Sequence, residues 1–297
     1  LLASPTIVAP AFNDALPEGT PSIVPLLFVT IACGAISGFH GMVASGTTSK
    51  QLDKETDARF VGYFGAVGEG MLSLASIVCC AAGFATLADW QAIYSQFGGG
   101  GVKAFVDGGD NLLVQGLGMP AQLGSTLLAT MAILFAATTM DTGLRLQRFV
   151  IQEAAELAGF RVGTVAGTLI ALAVCLALAF GAGSEGSGGM VIWPLFGTTN
   201  QLLAALTLAV VSVILIRKGR NPVYTLVPLA FLLVMSVYAL VVQLGTFLEQ
   251  RNWLLLGMDL VILVAALWVS FEALLAMRQG REAQAGSGGD AADGGQP

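Results

Sequence analysis

The chain has 297 residues, 55% of them hydrophobic and only 11% charged, with a mean hydropathy of +0.79. A soluble domain carries about 25% charged residues, so the composition excludes an ordinary water-soluble globule and predicts an all-α, polytopic membrane protein. Nineteen acidic against thirteen basic side chains give a net charge of −6, and once the basic residues of the loops are set aside no basic face is left for a nucleic-acid partner.

Residues 1–22 contain Pro5, Pro10, Pro17 and Pro21 and no positively charged signal-peptide start. They read as an extracytoplasmic lead-in, and the opening on Leu1 reads as a fragment entered from an outside loop. Seven apolar stretches follow, near 23–44, 61–87, 122–143, 162–182, 190–216, 223–248 and 253–277. Each is about as long as the roughly 17–25 residues a spanning helix needs.

The first span runs into CGAISGFHGMVASGTT, which holds the only histidine, His40, among Gly34, Gly38 and Gly41, with Ser37 and Ser45 beside them. Glycines four apart suit a close helix contact. They also suit a broken helix, because loosened backbone within a bilayer is tolerated where it is buried in protein or lines a wet cavity. His40 is then either a satisfied core histidine or a ligand for substrate or proton.

The loop 49–60 alternates charges and reads as solvated. The second span carries Gly62, Gly65, Gly68 and Gly70, with Glu69 among them. A charged carboxylate at that depth costs about 3 kcal/mol, so Glu69 is expected to face the protein interior, as a proton relay or as a structural hydrogen-bonding group. Residues 89–120 hold Asp89, Trp90, Tyr94, the run Gly98–Gly101 and Asp107; too long for a turn and too polar to span, they predict an external cap or gate of short helices. The glycine run lacks the Gly-Lys-Ser/Thr ending of a phosphate loop.

The third span closes with Thr138, Thr139, Asp141 and Thr142 on about one turn, an oxygen-rich set that suits a hard cation. Threonines bonding back to their own helix and an Asp141–Arg145 pair are the plain alternative. In the fifth span Thr198, Thr199, Asn200 and Gln201 place polar groups near mid-membrane, where they glue helices together or line a path. Asp259 and Glu272 lie toward opposite ends of the seventh span and read as scaffold able to reach water. Cys33, Cys79, Cys80 and Cys175 fall in apolar spans without metal-ligand spacing and read as small core residues. The tail AGSGGDAADGGQP is too polar and glycine-rich to bury a core and is expected to be disordered.

Orientation follows from the basic residues. Lys50, Lys54, Arg59, Arg145, Arg148, Arg161, Arg217, Lys218, Arg220, Arg278 and Arg281 fall on one side of the seven spans, and only Lys103 and Arg251 on the other. The positive-inside rule then puts the N-terminus of the chain outside and its C-terminus in the cytoplasm.

Taken together, ACGAISGFH, SGTTSKQL followed by ETDARFVGY, MDTGLRLQRF with IQE, and WPLFGTTNQLLAA resemble the carbon starvation protein A (CstA) family of bacterial membrane transporters, over about Phe28–Leu208. The resemblance implies a LeuT-like (APC-type) fold in the inner membrane, with 23–216 as the second inverted five-helix repeat, beginning outside with a broken helix and carrying the gate at 89–120. Residues 217–278 would be two additional helices and 279–297 the disordered cytoplasmic tail. The first repeat would be a partner missing from this chain. Gly41 and Thr199 stand where the family pattern leads one to expect a serine-like and an alanine-like residue, which leaves substrate preference open.

The function this implies is secondary active import of short peptides or a small organic anion such as pyruvate during carbon starvation, coupled to protons or sodium. Ser37, Gly38, His40, Asn200 and Gln201 would line the substrate path, Glu69 would handle protons, and Thr138, Thr139, Asp141 and Thr142 would hold the coupling cation. No cofactor and no metal beyond a coupling sodium ion is expected. A membrane sensor or structural subunit is the alternative. An intramembrane enzyme is disfavoured, because the chain has neither HExxH nor a paired-aspartate GxGD motif and its single histidine excludes bis-histidine haem.

Overall fold

The computed structural model describes residues 5–13, 16–17, 20–95, 100–181, 183–184, 186 and 188–290, and among them every regular element is helical. The α-helices in chain order are α1 (Phe28–Ala35), α2 (Gly38–Gly46), α3 (Asp57–Ala82), α4 (Leu87–Ile93), α5 (Gly101–Leu117), α6 (Ala121–Leu157), α7 (Thr164–Phe180), α8 (Trp193–Arg217), α9 (Val223–Glu249) and α10 (Trp253–Asp290). Among the described residues, six stretches are long and apolar enough to cross a membrane: Ile23–Lys50, Asp57–Ala82, Ala121–Leu157, Leu195–Arg217, Val223–Glu249 and Trp253–Leu275. The fourth predicted span is α7, a shorter apolar helix of 17 residues that follows Gly163 and ends at Gly181.

Two helices outrun their apolar stretches. The third predicted span ends near 143, yet α6 continues to Leu157, because Arg145, Gln147, Arg148, Gln152, Glu153 and Ala154 are all good helix formers. Its 37 residues make a rod of about 55 Å at 1.5 Å per residue, well beyond the roughly 30 Å of hydrocarbon. The tail expected to be disordered from 279 instead continues α10 as far as Asp290, since Arg281, Glu282, Ala283, Gln284 and Ala285 favour helix. Residues 291–297 and Gly98 and Gly99 of the glycine run lie outside the described residues.

The chain divides into two compact units, Leu1–Thr20 with Ser49–Gln147, and Pro21–Thr48 with Arg148–Pro297. This partition cuts the predicted 23–216 block. The broken first span belongs with α8, α9 and α10, whereas α3, α4, α5 and most of α6 form the other unit.

In the first of these units α3 and α5 meet at glycine. A Cβ on Gly83, which closes α3, would collide with the backbone of Gly108, and one on Gly108 would collide with the Cys79 carbonyl. The Asn111 amide donates to the Gly83 carbonyl at 2.8 Å and the Trp90 indole to that of Cys80 at 3.1 Å. Thr86 and Asp89 cap α4 reciprocally. The helices predicted between the second and third spans are α4 and α5.

The other unit is built on a bundle of α8, α9 and α10. Ala204, Ala205 and Ala209 of α8 meet Leu229 and Leu232 of α9 and Ala273 of α10 in one core cluster. Leu195, Phe247 and Leu255 form a second, and Leu202, Leu240 and Ala266 a third. Alanines at these positions let helices approach closely where lipid offers no hydrophobic drive to associate. Phe28 of α1 packs edge-on against Phe231 of α9, with ring centroids 5.1 Å apart.

Candidate functional site

The first span is broken. The Ile36 N–H still donates to the Ala32 carbonyl at 2.8 Å, closing α1. Ile36 (φ −134°, ψ 93°) and Ser37 (φ −108°, ψ 128°) are then extended before α2 begins at Gly38. The Ser37 side chain makes no cap bond to α2. That task falls to Asn200 of α8, a residue 161 positions away from Phe39, whose Oδ1 accepts the Phe39 N–H at 2.8 Å. Its Nδ2 donates to Cys33 Sγ at 2.8 Å and to Ser37 Oγ at 3.1 Å. One amide thus touches the last turn of α1, the break itself and the first turn of α2, and at the Phe39 N–H it meets a group that a continuous helix would satisfy internally.

Close approach makes this latch possible. A Cβ on Gly38 would collide with the Leu203 side chain, the Asn200 carbonyl and the Ala204 nitrogen, and one on Gly41 would lie 2.5 Å from Thr207 Oγ1. Gly34 has nothing within 4 Å of that position. Of the two glycines read as a packing pair, Gly38 joins the seam with α8 and Gly34 does not; Gly41 also joins it.

The expected substrate-path residues therefore separate. Ser37, Gly38 and Asn200 are brought together, but Asn200 is 4% exposed and its amide is engaged by the chain itself. These contacts tie the two sides of the break to α8. His40 lies exposed on α2 with its ring edge-on to Phe39 at 6.4 Å. Gln201 follows Asn200 around α8, is 1% exposed, and has no partner for either Oε1 or Nε2. Cys33, read from sequence as plain packing, is an acceptor in the latch. Its position four residues before Ser37 was the available signal.

In the unit that contains α3, Glu69 lies on a stretch exposed from Asp53 to Met71, not facing an interior as predicted. The reason is that α5 meets α3 at its other end, near Cys79 and Gly83. Thr138 and Thr139 both donate to the Phe135 carbonyl, at 2.9 and 3.1 Å, and Thr142 to that of Thr138 at 3.1 Å. Asp141 pairs with Arg145 at 2.9 Å. These four predicted cation ligands share one helix, and no group of three or more His, Cys, Asp or Glu gathers to hold a metal among the described residues. A polar hollow of about 480 Å³ opens beside Phe84, Asp89, Asp107, Asp110 and Asn111, where Asp107 is paired with Lys103.

Asp259 overturns its reading as a residue that reaches water. It is 0% exposed, and neither carboxylate oxygen has a hydrogen-bond partner. Proximity to a helix end is a poor guide here, because the start of α10 is covered by the cluster of Leu195, Phe247 and Leu255. Glu272 is exposed, as expected.

Helices of membrane-spanning length and a first span broken and latched by a distant side chain define a multi-pass, all-α membrane protein. The family model described as carbon starvation protein CstA matches residues 1–95 and 84–239, and the chain belongs to that family. It is 31% identical over 287 residues to the peptide transporter CstA of Helicobacter pylori strain J99, covering 78% of this chain and 41% of that protein. The peptide transporter CstA of Escherichia coli K12 is 31% identical over 80% of this chain and 42% of its own length. The pyruvate/proton symporter BtsT of E. coli K12 is 28% identical over 82% of this chain and 45% of its own length. The chain thus spans about two fifths of the length of the curated relatives it matches. These relatives are named as transporters, not enzymes. No solved structure matches it significantly.

Proposed function

We propose that this chain is part of a secondary active transporter for short peptides or a small organic anion such as pyruvate, driven by a proton or sodium gradient in a bacterial inner membrane. The observation that carries the reading is the latched break at Ile36–Ser37 inside a membrane span. Non-helical backbone at membrane depth costs unsatisfied polar groups and is kept where it serves a binding cavity. The names of the relatives, a peptide transporter and a pyruvate/proton symporter, point to the two substrate classes. Under this reading the exposed His40 and the Ser37 turn contact substrate. Gly62, Gly65, Gly68 and Gly70 of α3, with nothing within 4 Å of their virtual Cβ positions, offer a smooth face on which a further repeat of the longer protein packs.

Counterflow into proteoliposomes tests this directly. Labelled pyruvate and labelled short peptides are offered separately to the purified protein, with pH and sodium gradients imposed one at a time. Exchange of one class, accelerated by one gradient, supports the reading. A sensor or structural subunit is the second reading, favoured by the way the Asn200 amide and the Thr138, Thr139 and Thr142 hydroxyls are used within the chain; no exchange of any solute would establish it. In the same assay Glu69→Gln is expected to lower pH-driven uptake about tenfold or more while changing substrate binding far less, because it preserves shape and removes the titrating group. Undiminished pH-driven uptake in the glutamine variant would remove Glu69 from coupling.

The orientation is tested separately. In a cysteine-free background, single cysteines at the exposed positions Ser49 and Ala158 are expected to resist an impermeant thiol reagent in intact cells, and one at Gln115 to react. Labelling of Ala158→Cys from outside would invert the proposed topology.

A further inference from the structure

Between two apolar layers of the α8–α9–α10 bundle lies a polar one. On α8, Thr198 and Gln201 fall between Leu195 and Leu202; on α9, Gln243 falls between Leu240 and Phe247; on α10, Asp259 falls between Leu255 and Ala266. Leu195, Phe247 and Leu255 pack as one cluster on one side, Leu202, Leu240 and Ala266 as another on the other, and Ile262 packs against both. All four polar residues are buried, Thr198 and Asp259 completely.

The layer holds oxygens in excess of donors. Thr198 Oγ1 gives its proton to the Leu195 carbonyl at 3.0 Å and lies 3.4 Å from Gln243 Oε1. Both Asp259 oxygens and Gln201 Oε1 and Nε2 have no partner. A buried carboxylate needs a counter-charge, and the neighbouring helices supply none. Between Trp193 and Ile216 of α8 and between Val223 and Leu248 of α9 there is no charged residue. The titratable groups on the packed elements are Cys33, which is engaged by Asn200, the exposed His40, Tyr224 and Tyr238 at the outer surface of α9, and the exposed Glu249 at its end, with the exposed Arg251 in the turn that follows. Arg217 and Glu272 stand together at the far end of the bundle, beside an apolar groove of about 530 Å³.

We propose that Asp259, Gln201, Gln243 and Thr198 form an interior binding site for one monovalent alkali cation of sodium's size. A single carboxylate balances a single positive charge, and amide and hydroxyl oxygens complete the shell that hard cations take. A proton on Asp259 engages at most one further oxygen, whereas a metal cation draws on several of these oxygens at once. The site shares no residue with Thr138–Thr142, and its occupancy is measurable without transport.

The test is thermal unfolding of the purified protein in detergent, with sodium chloride titrated against choline chloride at constant ionic strength. Wild type is expected to gain about 2–4 °C in Tm, saturably, in sodium. Asp259→Asn should lose that gain, and Gln201→Leu should shift its half-point to about tenfold higher sodium while unfolding normally in choline. If the asparagine variant fails to fold, the leucine variant alone decides. Equal stability of wild type in sodium, potassium, lithium and choline would overturn the proposal, as would an unchanged sodium response in both variants. A response to pH alone, without any to alkali cations, would overturn it in favour of a proton. Failure here leaves the transport reading standing, and absence of counterflow leaves the cation site standing.

Discussion

Gly38→Leu is expected to remove nearly all folded protein from the membrane, and Gly38→Ala to cost about 1–3 kcal/mol, the usual toll of overpacking. The Cβ of even an alanine would meet the Asn200 carbonyl and the Ala204 nitrogen, which are backbone atoms of α8. Neither can rotate away, so α2 would have to lift from α8 and carry the Phe39 N–H out of reach of Asn200. Gly34→Ala is the control. Four residues earlier on α1, it finds open space and should stabilise the helix by about 0.5–1 kcal/mol through reduced backbone freedom in the unfolded chain. Thermal unfolding of the two alanine variants measures the contrast. Equal effects at both positions would show that the seam is not as close as described.

Asn200→Leu should destabilise by about 1–3 kcal/mol for each buried donor it strands, and the Phe39 N–H is one such donor. Uptake should fall with it, because the two half-helices lose the group that fixes their angle. Gln201→Leu, one residue on, should leave stability in choline unchanged or raised, since it removes an amide that has no partner. Two adjacent amides with opposite consequences are a demanding test. If both leucine variants unfold at the same temperature, the latch does not stabilise the break. Asn200→Asp should retain the Phe39 bond through a carboxylate oxygen yet lose both donated bonds, and should fall between wild type and leucine.

What could be read from the sequence was what one dimension records. Apolar length marked the spans, glycine crowding with Ser37 and His40 marked the break, and the polar stretch after Gly83 marked the short helices α4 and α5. Partnership was not legible. Asn200 and Gln201 are neighbours of similar chemistry, and only the rotation of α8 decides that one meets Cys33 and Ser37 while the other is buried with no hydrogen-bond partner in the chain. Asp259 looked solvent-accessible because its distance from a helix end was counted along one helix, while its burial comes from two others. Glu69 was expected inside because mid-span carboxylates are costly, but burial depends on what packs against α3, and that is set by residues far along the chain. The length of α6 escaped for a simpler reason: helix propensity continues where hydrophobicity stops.

The sulfur in the latch has a practical consequence. Mapping topology by thiol labelling begins by deleting the four native cysteines, a step usually treated as silent. At Cys33 it is not, because Sγ accepts a hydrogen bond from Asn200 Nδ2. Alanine there would leave that N–H unmet and loosen the joint in the background strain itself, so that every later variant would be scored against a weakened reference. Serine keeps an acceptor at nearly the same place and is the replacement to use. By the same logic, a membrane-permeant alkylating agent that reaches Cys33 would wedge the joint open chemically, mimicking Asn200→Leu in a protein with no mutation at all.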